Sequence, residues 1–274
     1  MHPSNSDHAA MTRIVHEMKC FGARPGQGNA ALVVLGDASG ETERQRYARE
    51  QNRSACVFIN DSADGEAAFV LDYFYPHMRS PLCLHATLAA ARVLLARDGD
   101  VLTVRTAMRG QLLGLSRSAH GVFIRLQRQA APTVAIPAAL PGALLGQPGL
   151  ELASAPAIAS VGSPKLLLEV ADSKALHALR PDLAAINRWG KEHGVSGCYA
   201  YARRADGSFE GRNFNHLDPA LEDSATGVAA GALTVHLGRA ITLYQGENLG
   251  QPCVLRTELQ DEQILIGGAA EFAQ

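Results

Sequence analysis

The sequence predicts a mixed α/β (α+β) protein built from two similar halves, and three observations lead there. Apolar residues make up 47% of the 274 residues and charged residues 19%, the composition of an ordinary globular chain and too apolar for wholesale disorder. Strand-like alternation and helix-like runs interleave along the chain. The order of these elements in the first half recurs in the second, across a Pro-rich stretch.

Each element has a local reason. Arg13 to Phe21 alternates apolar and polar residues and reads as a strand, followed by a Gly/Pro turn from Gly22 to Asn29 and a second strand, Ala30 to Leu35. Glu41 to Asn52 is charged and rich in helix formers, with Gly40 ahead of it. Ala55 to Ile59 and Ala67 to Phe74 read as strands, Cys83 to Arg97 as an Ala/Leu helix, and Val101 to Thr106, Leu112 to Arg117 and Val122 to Gln127 as a strand series. From Ala130 to Ser160 five prolines oppose both helix interior and central strand, so this segment is expected to be an extended crossing. Beyond it come a strand (Lys165 to Val170), a helix interrupted near Pro181 (Lys174 to Gly190), strands at Cys198 to Arg203 and Phe209 to Phe214, an Ala-rich helix (Ala225 to Leu237), and closing strands at Val254 to Glu258 and Gln263 to Gly267.

Short matches support a duplication. Cys56-Val57-Phe58 precedes the first Ala-rich helix as Cys198-Tyr199-Ala200 precedes the second. His85-Ala86-Thr87 opens the one and Ser224-Ala225-Thr226 the other, and Val104-Arg105-Thr106 and Leu255-Arg256-Thr257 follow. The apolar content of both helices runs around most of the cylinder, so both should be encircled by strands. The expected division is a mobile polar tail (1–12), a first half (13–131), a Pro-rich crossing (132–160) and a second half (161–274), whose last strand can return to the first.

Lys plus Arg number 25 against 27 Asp plus Glu, a formal charge of −2, which argues against a basic, nucleic-acid-binding surface over the whole molecule. Ala86 to Ala96 is too short to span a bilayer and contains Arg92, so no membrane partner is expected. The first twelve residues lack a basic region followed by an apolar core and do not read as a secretory signal. Five widely spaced cysteines without Cys-x-x-Cys read as free thiols of a cytoplasmic protein.

Two clusters could carry chemistry, Cys83-Leu84-His85-Ala86-Thr87 and Glu222-Asp223-Ser224-Ala225-Thr226-Gly227. Helix N-termini present unpaired N–H groups and a positive dipole end. Two of them facing each other would bind a small carboxylate. Plain capping competes with this, with Asp223 or Ser224 as N-cap and His85 in a first turn; for Ser224 alone capping is the stronger reading. Rival signals are weak. Gly26-Gln27-Gly28-Asn29-Ala30-Ala31 resembles a dinucleotide fingerprint but leads into a strand. Cys83-Leu84-His85 lacks a second ligand pair for zinc, and as helix neighbours i and i+2 its Cys and His should not face each other.

Taken in order, Gly28-Asn29 with Ala31-Leu32-Val33-Val34-Leu35, Asn52-Arg53-Ser54, Phe74-Tyr75-Pro76, Cys83 to Ala91, Glu222 to Leu233, Gln245-Gly246 and Gly250-Gln251-Pro252 resemble the PhzF-like phenazine-biosynthesis family over about 225 residues. The resemblance implies the diaminopimelate epimerase fold: two halves, each a curled, mostly antiparallel sheet around a central helix. It also implies cofactor-independent isomerase or epimerase chemistry by proton transfer on a small carboxylate in the cleft, no metal, a biosynthetic role and a homodimer. Carried over by motif, His85 and Asp223 are catalytic, and Ser54, Ala55, Cys83, Leu84, Ala86, Ser224, Thr226, Gly227 and Val228 bind substrate.

Departures from the family pattern matter as much. Where the family carries a Glu as acid/base after Asn-x-Ser, this chain has Ala55; Leu84 stands for a Gly, Val228 for a Ser, and Ser224 for a Pro. Asp72 and Arg79 stand where the family has Arg and Glu, a charge swap expected to keep a salt bridge. An alanine cannot move a proton. Cys56, Cys83, His216 and Glu222 are candidates for a relocated base, although for the two cysteines a buried small hydrophobe is the stronger reading. The alternative is a degenerate member that binds a carboxylate without turnover.

Overall fold

The computed structural model describes residues 13–63, 65–214 and 222–273; the expected tail and His216 lie outside them. The first half contains β1 (Ile14–Phe21), β2 (Gly28–Leu35), α1 (Glu41–Gln51), β3 (Ala55–Asp61), β4 (Phe69–Phe74), β5 (Arg79–Ser80), α2 (Leu84–Asp98), β6 (Val101–Thr106), β7 (Leu112–Ser118) and β8 (Gly121–Gln127). After α3 (Leu140–Leu144), the second has β9 (Ala157–Ala159), β10 (Lys165–Glu169), α4 (Ser173–Ala178), α5 (Leu183–His193), β11 (Cys198–Arg203), β12 (Phe209–Phe214), β13 (Glu222–Asp223), α6 (Gly227–Leu237), β14 (Thr242–Gln245), β15 (Cys253–Gln260) and β16 (Gln263–Gly268); β17 (Ala270–Phe272) ends the chain.

Strand pairing repeats step for step. β1 is antiparallel to β2, β2 parallel to β3, β3 antiparallel to β4, β4 antiparallel to β5 and parallel to β6, and β6, β7 and β8 follow antiparallel. The series from β9 to β16 has the same partners and directions. The last strand, β17, does return to the first half and pairs with β1, as expected, but β8 also pairs with β16, so the curled sheets form one hydrogen-bonded network rather than the two separate ones expected. These pairings leave fewer unpaired edges, which are aggregation-prone when exposed.

Both Ala-rich helices lie inside. α2 packs against β1, β2, β3, β6, β7, β8 and β17, and α6 against β9, β10, β15 and β16. Small side chains let strands and helices approach. A Cβ at Gly231 would sit 2.7 Å from Ile266 Cδ1, and one at Gly227 would sit 2.7 Å from Leu84 Cβ. The N-termini of α2 and α6 therefore touch each other at Leu84 and Gly227.

Outside the sheets, α1 lays Ala48 and Tyr47 over Val34, Phe58 and Phe74. In the second half, Leu176 and Ile186 of α4 and α5 cover Leu166, Leu168, Ala200 and Ala202. β10 is thus buried on both faces, Leu167 inward and Leu166 and Leu168 outward, which explains its unbroken apolar run. The expected helix break near Pro181 separates α4 from α5, each started by an aspartate, Asp172 or Asp182, that accepts the Ala175 or Ala185 N–H. The crossing departs from the extended form expected of it. It contains the short α3 with Pro141 in its first turn, where a missing N–H costs nothing.

Gly227→Ala should destabilise the fold by about 1–3 kcal/mol through overpacking. In urea unfolding, the double variant with Leu84→Gly should be more stable than the sum of the two single effects by more than about 0.5 kcal/mol, as expected for residues in contact. Simple additivity would contradict the helix contact.

Candidate active site

A cleft of about 660 Å³ opens where the two halves meet, lined by Asn29, Ser54, Tyr75, His77, His85, Glu222, Asp223 and Ser224 among others. Behind it an inner pocket of about 60 Å³ is lined by Cys83, Leu84, Lys165, Thr226, Gly227 and Val228. Tyr75, His85 and Asp223 line both spaces.

Asp223 is held from both halves. Asn29 Nδ2 of β2 donates to Oδ1 at 3.0 Å, Thr226 Oγ1 donates to Oδ2 at 2.5 Å, and Gln245 Nε2 donates to the Asp223 carbonyl at 2.6 Å. The Tyr199 hydroxyl steadies Gln245 by donating to its Oε1 at 3.1 Å. Asp223 lies in β13, in register with Asn213, three residues ahead of the true N-cap, Thr226. This corrects the expectation that Asp223 or Ser224 caps the helix. It also shifts the repeat, so that Cys83, the N-cap of α2, matches Thr226; His85 and Asp223 do not occupy equivalent places.

The Cys83–His85 geometry is a second correction. Helix spacing would turn these residues apart, but Cys83 precedes the helix in an extended conformation, and its Sγ lies 3.3 Å from His85 Nδ1. Burial raises the Cys83 thiol, yet the His85 charge and hydrogen bond, the Tyr75 hydroxyl and the Ala86 N–H together bring it below the ordinary thiol value. Burial lowers His85, while the Cys83 charge and hydrogen bond and then the Asp223 charge carry it above its ordinary value. The two shifts favour thiolate beside imidazolium at the N-terminus of a 15-residue helix. The Tyr75 phenol, raised well above its usual range by burial, stays protonated and donates to Cys83.

Other sequence candidates fall into place differently. Ser54 and Ser224 line the cleft; Cys83, Leu84, Thr226, Gly227 and Val228 line the inner pocket. Ala55 and Ala86 are fully buried and line neither. Leu84 does not block the open cleft, because its side chain packs on Gly227. Burial pushes the Cys56 thiol up to about 12, which removes it as a base near neutrality. Glu222 is clamped by Arg212, whose Nε and Nη2 donate at 2.8 and 2.7 Å. Asp72 and Arg79 do form the expected salt bridge, at 2.8 Å. Arg79 and Glu222 oppose Phe74 and Phe214 in the matching pairs β4–β5 and β12–β13, so the two halves carry the same bridge with opposite polarity.

Sequence reasoning missed Lys165, Asn29 as a ligand of Asp223, and the Cys83–His85 pair. Lys165 had one visible signal: it is the single charge opening the apolar run Leu166 to Leu168. Among the described residues no group of three or more His, Cys, Asp or Glu is placed to hold a metal ion, and no helix is long and apolar enough to cross a membrane.

Residues 18–273 match the model of the phenazine biosynthesis-like protein family, PhzC-PhzF. The chain belongs to this family. It is 34% identical to an uncharacterized isomerase of Deinococcus radiodurans, over 96% of this chain and 93% of that one. It is 32% identical to the trans-2,3-dihydro-3-hydroxyanthranilate isomerase of Pseudomonas aeruginosa, over 93% and 95%. The crystal structure of the PhzF-family phenazine biosynthesis protein of Bacillus anthracis superimposes with a TM-score of 0.80 at 22% identity, covering 96% of this chain and 98% of that one. This PhzF-family chain has the family's fold, and its relatives place it among isomerases and epimerases in general.

In a PhzF-family site of this form, thiolate absorbance should titrate below the ordinary thiol value of 9.0, and Cys83→Ser should abolish that step. Burial pushes Cys198 and Cys253 up to about 12, as it does Cys56, and raises Cys20 as well, so Cys83 should ionise alone. His85→Gln removes the opposing charge and should move the step upward. A step that His85→Gln leaves in place would contradict the pairing.

Proposed function

We propose that the protein is a cofactor-independent isomerase that moves a proton on a small carboxylate held in the cleft between its halves. The observation that carries this reading is that His85 and Asp223, from different halves, line one cleft, and that the charge of Asp223 helps raise His85. A carbon-bound proton needs a base within hydrogen-bond reach and a pKa near working pH. His85 lines the cleft and can serve as this base in the state in which its own proton rests on Cys83: the imidazole takes the proton from one carbon, becomes imidazolium, and delivers the same proton to another carbon, while Cys83 keeps its own. Asp223, fixed by Asn29 and Thr226, stabilises the charged form of the imidazole through its own charge. The working unit is a homodimer in the cytoplasm, and the reaction belongs to a biosynthetic route.

Ala55 sets the limit of the analogy. Where the family's Glu would move the proton, this chain has a buried methyl group, and loss of a positioned acid/base costs about 10²–10⁴-fold, or roughly 3–5 kcal/mol of barrier. The protein should therefore turn over trans-2,3-dihydro-3-hydroxyanthranilate slower than its Pseudomonas relative by about that factor. Equal turnover would show that another group has replaced the Glu.

Deuterium wash-in from heavy water across a panel of small amino and hydroxy carboxylates tests the main reading. At least one should exchange a carbon-bound hydrogen, and His85→Gln and Asp223→Asn should each slow it by about 10²–10⁴-fold. If the whole panel binds without exchange, the protein holds its ligand without turnover and the isomerase reading is wrong.

A further inference from the structure

Lys165 opens β10 in the second half and is 2% exposed, an unusual place for an ammonium group. Its Nζ donates to the Ser196 carbonyl. An ammonium has three donors, and this is the one acceptor Nζ meets among the described residues. Its side chain lines the inner pocket together with His85, Cys83, Tyr75 and Asp223. At about 60 Å³ the pocket has room for the few atoms of a carboxylate, since one water needs roughly 10–15 Å³ on this measure. The first turns of α2 and α6 border the same space through Leu84, Gly227 and Val228. A buried cation with donors to spare, in a pocket of carboxylate size between two positive helix ends, has one kind of natural guest.

We infer that Lys165 receives the carboxylate end of the ligand in the inner pocket and so sets the protein's preference for an acid over its neutral amide. This rests on the reading that the cleft takes a small carboxylate. The rest of the ligand then lies past Tyr75, His85 and Asp223 in the larger cleft, where those side chains line both spaces. Asp223 balances the ammonium when the pocket is empty, and its charge opposes the burial that lowers Lys165 to about 8. The groups facing Lys165 are therefore Asp223 of β13, Cys198 of β11, His85 and Cys83 at the start of α2, and Tyr75 between β4 and β5.

The test compares 2-aminobenzoate with 2-aminobenzamide, one carboxylate and its amide, by fluorescence titration of the full-length protein. At neutral pH the acid should bind about 10–100-fold more tightly, the worth of hydrogen bonds to a charged partner. That preference should shrink as pH rises and Lys165 loses its proton. Lys165→Met should cut the preference by about 10-fold or more, to what the two helix ends alone supply, and leave amide affinity in place, whereas Lys165→Arg should keep most of it. A preference that Lys165→Met leaves undiminished overturns the role of Lys165 while leaving the carboxylate reading intact. Wild-type protein that does not distinguish the two overturns both. Should Lys165→Met fail to fold, the wild-type pH series decides alone: a preference unchanged into alkaline solution refutes the assignment.

Discussion

The cleft depends on one close approach, the contact of two buried helix N-termini at Leu84 and Gly227. Each helix is enclosed by strands, so the only route by which their first turns can meet is through the seam between the two halves. A side chain at Gly227 would separate them. Their contact puts Cys83 and His85 of the first half within one small space shared with Asp223 and Lys165 of the second. The duplicated pairing of strands supplies the frame for this meeting, and the β8–β16 and β17–β1 pairings lock it into a single network.

Around that contact the electrostatics divide by half. The first half brings the Cys83–His85 pair, one proton shared between a lowered thiol and a raised imidazole. The second brings Asp223, whose carboxylate takes hydrogen bonds from Asn29 and Thr226, and a lysine reduced by burial. Charges in a space shielded from water act strongly on one another, so Asp223 favours the cationic forms of His85 and Lys165 by attraction and disfavours the Cys253 thiolate by repulsion. Further out, the mirrored bridges Asp72–Arg79 and Glu222–Arg212 stiffen the two short strands, β5 and β13, that lead into the helices. Each also lays its arginine over a phenylalanine, Phe74 or Phe214.

Much of the fold was legible in the sequence for identifiable reasons. Apolar residues all around the 84–95 and 227–234 runs required burial on every side, and the structure buries them. Short matches such as Cys56-Val57-Phe58 with Cys198-Tyr199-Ala200 pointed to a repeat, and β3 and β11 hold the same place in the pairing series. Weak elements escaped. β5, β9, β13 and β17 are two or three residues long and have too little periodicity to register; they exist because longer neighbours offer them hydrogen-bond partners. α3 was hidden by prolines, one of which sits where a helix tolerates it.

By itself, the sequence determined the element order, the two enclosed helices and the presence of His85 and Asp223 near helix starts, because these follow from local periodicity and from motifs a few residues long. It also carried the absence of a titratable group at Ala55, which no fold can supply. What only the tertiary structure decided is which groups meet. Cys83 turns to His85 because it stands one residue before the helix, in an extended conformation. Asp223 stands ahead of the cap because Asn213 holds it in a strand. Lys165, 58 positions from Asp223 along the chain (223 − 165), shares its pocket because β10 and β13 border the same space. Such meetings depend on long-range pairing and on burial, and burial also moved the thiols, the phenols and the lysine from their ordinary values; neither is encoded in any stretch of neighbouring residues.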